Sequence, residues 1–140
     1  MASTPDPPPK VIVTLPQLLF SHEELACPKT GIVRLADGFA RHLVELRVAW
    51  GKPMKVNSCC RSGAYNATIK GHPKSLHVFD HNAYGLNGTA AIDIALIDPP
   101  QRRALILLAD RMGWSIGHGK TFLHFDRRDF AGLPQGQFGY

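Results

Sequence analysis

Three features of the sequence predict an α+β fold, a small antiparallel sheet packed with helices. Apolar residues recur every three or four positions between Val33 and Trp50, as on one face of a helix. Ala90 to Ile97 is apolar and rich in isoleucine apart from Asp93, as in a strand buried within a sheet. Trp114–Ile116 and Phe122–Phe125 are two short strand-like runs on either side of the turn Gly117-His118-Gly119-Lys120, which together predict a hairpin.

In chain order, residues 1–12 hold Pro7, Pro8 and Pro9 among small polar residues, a composition that predicts a loose N-terminal arm ahead of one domain over residues 13–140. The first helix carries Leu35, Phe39, Leu43, Leu46 and Trp50 on its stripe, and Gly51 and Pro53 end it. Arg41, His42, Glu45 and Arg47 fall off that stripe, so His42 reads as a surface residue. Met54 to Ser58 alternates apolar and polar residues and predicts a strand that delivers Arg61 into a turn, Cys60-Arg61-Ser62-Gly63. Residues 71–89, with Gly71, Pro73, Gly85 and Gly88, predict irregular backbone of the kind that commonly carries sites. Asp98-Pro99 is a helix start, Leu105, Leu108, Ala109 and Met112 form the buried stripe behind it, and Gly113 stops it.

The 140 residues suffice for one core without a covalent staple. The cysteine count is odd, and neighbouring Cys59 and Cys60 suit a disulfide poorly, so Cys27, Cys59 and Cys60 are expected to be reduced. With no C-x-x-C pair, a metal site would have to be built from histidines and carboxylates. No apolar run reaches the ~20 residues of a membrane span, which predicts no stable membrane insertion. The start MASTPDPPPK lacks a basic segment followed by an apolar one, so the chain is expected to remain in the cytoplasm after synthesis. A formal charge of +5 favours anionic partners. The basic residues are scattered from Lys10 to Arg128 with no nucleic-acid motif, so nucleic acid is not the expected partner.

Asp93 is the most informative residue. AAIDIAL sets one carboxylate in an apolar strand, where an unpaired charge costs several kcal/mol, so a cation must compensate it: Arg61 or a divalent metal. His77, in the irregular segment before that strand, and His124, in FLHFD, complete a His-Asp-His set suited to zinc, with a fourth position left for water. Asp126 follows His124 by two positions and shares its strand face, where it can accept a proton from zinc-bound water or support the ligand from behind.

The words CCRSGAYN, SLH, AID and FLHFD, in that order, resemble the zinc D-alanyl-D-alanine carboxypeptidase family, which includes VanX-type dipeptidases and phage endolysins and shares its fold with the hedgehog signalling domain. The family pattern is roughly S-G-Y-R-S-x-x-Y-N, S-x-H, G-x-A-x-D and a late H-x-D or H-x-H strand. The resemblance runs from about Phe20 to Arg128 and includes F-S-x-x-E-L at Phe20–Leu25. It implies a hedgehog/DD-peptidase-like fold, with Zn2+ held by His77, Asp93 and His124. Arg61 would grip a peptide carbonyl or carboxylate, for which a planar guanidinium is better shaped than a lysine. Ser75, the serine of S-x-H, and Tyr65 would also contact substrate. The substrate implied is a peptidoglycan stem peptide, cut at a D-alanyl bond or at the L-alanyl-D-glutamate bond by zinc-activated water.

Two departures from the pattern matter. The family places its Asp seven residues after the first His, whereas the spacing from His77 to Asp93 is sixteen. The lengthened segment VFDHNAYGLNGTA brings Asp80 and His81 near as alternative ligands, although His77 keeps the S-x-H context and the excursion reads better as part of the substrate wall. Thr121 stands where many members carry a catalytic carboxylate, three residues before the last His, and Glu23, Glu24 and Glu45 are all remote in sequence. Asp126 is therefore the expected base, and His118 the expected acid or oxyanion stabiliser. The expected biology is that of a phage endolysin: a monomer accumulating in the host cytoplasm and reaching the wall once the membrane is opened. A cytoplasmic D-Ala-D-Ala dipeptidase and a non-catalytic zinc or wall-binding module are the alternatives.

Overall fold

The computed structural model describes residues 19–95 and 98–140; the expected N-terminal arm and the end of the predicted 90–97 strand lie outside them. The elements are α1 (His22–Leu25), α2 (Phe39–Trp50), β1 (Val56–Ser58), α3 (Gly63–Thr68), β2 (Ala91–Ala95), α4 (Pro99–Arg111), β3 (Ser115–His118), β4 (Phe122–Asp126), a 3₁₀ turn (Arg128–Ala131) and β5 (Gln137–Gly139). The strands form one sheet in the order β1-β2-β4-β3-β5, antiparallel except for the parallel pair β3–β5. Among the described residues no helix is long and apolar enough to cross a membrane.

Local chemistry accounts for the helices. The F-S-x-x-E-L word is a capping box: Ser21 Oγ accepts from the Glu24 amide, the Glu24 carboxylate accepts from the Ser21 amide, and Leu25 is buried. Helix α2 buries Phe39, Leu43 and Leu46 and ends on Gly51 in the left-handed conformation. It begins six residues later than the apolar period suggests. Gly38, at φ 85°, breaks the backbone, and Leu35 instead bridges to Thr89. Leu35 lies four residues before Phe39, so a loop residue aimed at the core imitated the helical stripe. His42 is half-buried, with its ring edge-on to Trp114 at 6.4 Å, so it is not a surface residue. The segment after Arg61 is not a plain turn: Ser62 Oγ accepts from the Tyr65 amide and caps α3. Helix α4 starts as expected, with Asp98 accepting from the Gln101 amide.

Strand alternation separates two faces of the sheet. Ile92, Ile94, Ile116, Leu123 and Phe125 turn to one side and pack with Phe39, Leu43, Leu46, Leu105 and Trp114 in the core. Asp93 pairs directly with His124, His124 with Gly117, and Gly117 with Phe138, so these four positions share the other face. The three cysteines are buried and free.

Candidate metal centre

Each candidate donor is delivered by a different piece of backbone. Asp93 comes from β2 and His124 from β4, opposite each other in register. His77 comes from the irregular segment: its amide donates to Ser75 Oγ (3.1 Å), and its carbonyl accepts from Thr89 Oγ1 (2.7 Å). All three side chains are buried.

Asp93 divides its two oxygens. Oδ2 takes Arg61 Nη2 at 3.2 Å, while Oδ1 faces His77 Nε2 at 3.1 Å and His124 Nδ1 at 2.9 Å. One carboxylate oxygen and two imidazole nitrogens thus converge. Donor atoms around a tetrahedral zinc with bonds of ~2.0–2.1 Å would be separated by about 3.3 Å, so Asp93 Oδ1 stands close to the required distance from each imidazole nitrogen. The two rings are held from behind in the tautomers that ligation requires. His77 Nδ1 lies 2.7 Å from the Cys59 carbonyl, which fixes a proton there and leaves Nε2 for a metal. His124 Nε2 lies 2.7 Å from Asp126 Oδ2, leaving Nδ1. Such acceptors behind metal-binding histidines set ring orientation and basicity. Among the described residues this is the one group of its kind, and its donors, two imidazoles and a carboxylate without thiolate, suit zinc.

Burial would raise the Asp93 pKa, but its contacts with the His124 and His77 rings outweigh it and hold the carboxyl well below its usual range. Burial pushes His77 below the ordinary imidazole value, so that ring is neutral. Burial also opposes charge on His124, yet the carboxylates of Asp126 and Asp93, one at each ring nitrogen, prevail and raise its pKa. A metal at Nδ1 therefore competes with a proton for that nitrogen. Zinc loading is expected to release protons and to weaken as the pH falls. Calorimetric titration in buffers of different ionisation enthalpy measures that release.

The donors open into a cavity of about 500 Å³. Arg61 lines it while also bonding Ser58 Oγ (Nε, 2.9 Å) and Asn66 Oδ1 (Nη1, 3.3 Å). The pairing of Arg61 with Asp93 and its place in the cavity are therefore compatible. Ser75 lines the cavity as well, and from the lengthened segment Tyr84 does. Tyr65 does not: it packs against the core. Asp80 and His81 also lie elsewhere, Asp80 accepting from the Gly63 amide at the start of α3 and His81 beside it in a smaller hollow. His118 belongs to β3 rather than to a turn, pairs with Leu123 on the other face, and bonds Gln137 Oε1 at 2.8 Å, outside the cavity lining.

Asp126 is 1% exposed, and its acceptors are occupied. Arg128 donates to Oδ1 through its amide (3.0 Å) and Nε (3.0 Å) and to Oδ2 through Nη2 (2.8 Å), beside the His124 contact. That is the geometry of a group supporting His124 rather than of an open base. Sequence reasoning did not single out Arg128, Asn66, Phe138 or Tyr140. Arg128 could have been found from its position two residues beyond a buried aspartate, whereas a three-residue strand gives almost no periodic signal.

The peptidase M15 family model matches residues 19–126, while no curated protein and no solved structure matches the chain. With the match spanning more than half of the chain and enclosing all three donors, the chain belongs to the peptidase M15 family of zinc metallopeptidases.

Proposed function

We propose that the protein hydrolyses amide bonds of peptidoglycan stem peptides in the manner of a phage endolysin. The observation that carries this reading is the convergence of His77, Asp93 and His124 at the base of an open cavity whose lining includes the cations Arg61, Lys70, Lys74 and Arg128. Stem peptides carry carboxylates, and cationic walls attract them. When bound by the three donors, zinc supplies a Lewis acid that polarises a carbonyl and makes water acidic enough to ionise near neutrality. Arg61, fixed by Ser58, Asn66 and Asp93, orients the peptide carbonyl with its remaining N–H groups. Asp126, clamped by Arg128, keeps the Nε2 proton of His124 in place so that Nδ1 stays a donor.

Mass spectrometry of peptidoglycan fragments after digestion, with and without a chelator, tests this. New amine and carboxyl ends at one stem-peptide bond, lost with chelator and restored by zinc, are expected; fragments identical to the undigested control would end the proposal. Clearing of intact walls in a gel would favour an endolysin working from the host cytoplasm after membrane opening. Cleavage of D-alanyl-D-alanine alone would favour a cytoplasmic dipeptidase.

One observation favours a second reading, a non-catalytic zinc or wall-binding module. Among the described residues lining the cavity the carboxylates are Asp93 and Asp126, one a candidate ligand and the other its support, while the exposed Thr121 occupies the usual place of the base. Zinc retention with stem peptides left whole would establish that reading.

A further inference from the structure

Strand β5 and Tyr140 lie beyond the residues that the family model matches, yet they build one side of the cavity. The strand is firmly attached. It runs parallel to β3, the Gly136 amide donates to Ser115 Oγ (3.0 Å), and Gln135 Nε2 donates to the Trp114 carbonyl (3.1 Å). Register places Phe138 beside Gly117, on the face that carries His124 and Asp93, and alternation adds Tyr140 to the same face.

The neighbouring residues leave room for these rings. A Cβ on Gly117 would come within 2.7 Å of the Phe138 ring and 2.8 Å of the Tyr140 ring, so glycine there is what lets both aromatics lie over the sheet. Phe138 stands 5.7 Å and Tyr140 6.2 Å from the His124 ring, and Phe122 and Tyr140 pack at 5.0 Å. Arg128, which grips Asp126, sits 4.7 Å over the Phe138 ring. The aromatic cluster is thus tied to a metal donor, while Tyr140 stays 73% exposed at the cavity mouth. The cations Lys70 and Lys74 line the cavity from the segment that follows α3 and leads to His77, whose carbonyl accepts from the Arg61 amide just past β1, the strand at the opposite end of the sheet order from β5. Asn66 Nδ2 holds that segment through the His72 carbonyl (3.0 Å). Between the two edges stand β2 and β4, with Asp93 and His124.

We infer that Phe138 and Tyr140 are specificity-determining residues: they receive an apolar side chain adjoining the scissile amide, with the substrate carboxylate directed to the Lys70–Lys74 side, so the peptide lies across the sheet in one sense. This rests on the peptidase reading above. A flat ring face gains free energy from an alkyl group and none from a hydrogen atom in its place. A methyl group in an apolar subsite is worth about tenfold or more in discrimination.

The test compares two pairs of stem-peptide analogues, alanyl against glycyl at the apolar position and free acid against amide at the carboxylate, in the zinc-loaded parent, in Phe138→Ala/Tyr140→Ala and in Lys70→Ala/Lys74→Ala. The parent is expected to prefer alanyl over glycyl by about tenfold in kcat/KM. The aromatic double variant should bring that ratio near one while keeping its zinc and its preference for acid over amide; the lysine double variant should do the converse. An alanyl-to-glycyl ratio unchanged in the aromatic variant overturns the inference. If the parent cuts none of these peptides, the peptidase reading fails, and calorimetric affinities for the same four peptides decide the aromatic wall by the same ratio.

Discussion

Asp93→Asn is expected to leave the purified protein without stoichiometric zinc and to lower stem-peptide cleavage on the order of a thousandfold or more, the equivalent of several kcal/mol of lost Lewis-acid stabilisation. The reason lies in how the carboxylate is shared. Oδ1 is the atom that meets both imidazoles, and Oδ2 balances Arg61. An amide in its place has one oxygen and one –NH2 group. If the oxygen faces the imidazoles, the –NH2 meets the guanidinium, donor against donor; if it faces Arg61, the metal position loses its anionic donor. Metal analysis, activity and a circular dichroism melt on one preparation separate loss of the ion from loss of the fold. Full zinc content together with parental activity would contradict the ligand assignment.

Asp126→Asn should produce the largest change in stability, about 3–5 kcal/mol in the metal-free protein, because it breaks a buried ion pair and leaves charge behind. It should also weaken zinc binding by about 10–100-fold, the usual consequence of removing the acceptor behind a metal-binding histidine. Arg128 and His124 both point N–H groups at this side chain, and an amide cannot accept from all of them. The pH dependence has a definite sign. Burial would raise the Asp126 pKa, but His124 and Arg128 hold it below the ordinary value. Its contribution is therefore present above the unfolded carboxyl value, about 4, and is lost as the pH falls towards the folded one. Denaturant midpoints of parent and variant should accordingly differ at neutral pH and draw together in acid.

The donor set could be read from the residues because burial and charge conflict at Asp93, and a lone carboxylate in AAIDIAL had to be answered by something of opposite charge. The sequence left Arg61 and a metal as competing answers; in the fold, Arg61 occupies one carboxylate oxygen and leaves the other to the histidines. Helix α4 and the β3–β4 hairpin follow from strong local signals, the Asp98 cap and the glycine turn. The start of α2 was misread because Leu35 reaches the core from a loop at helical spacing. Helix α3 was missed because its six residues offer little apolar period and its cap is a single serine. His118 was placed near the reaction on sequence proximity to His124, yet strand alternation turns it to the opposite face. Strand β5 derives its position from pairing with β3, a tertiary fact that three residues cannot announce.

Two of the three donors sit on neighbouring strands separated by 31 positions in sequence and brought level only by the pairing of β2 with β4. A slip of a single residue in that pairing would turn one side chain inward while the other stayed in the cleft. The metal site is therefore only as well defined as the strand alignment, because the observed pairing alone brings both donors level.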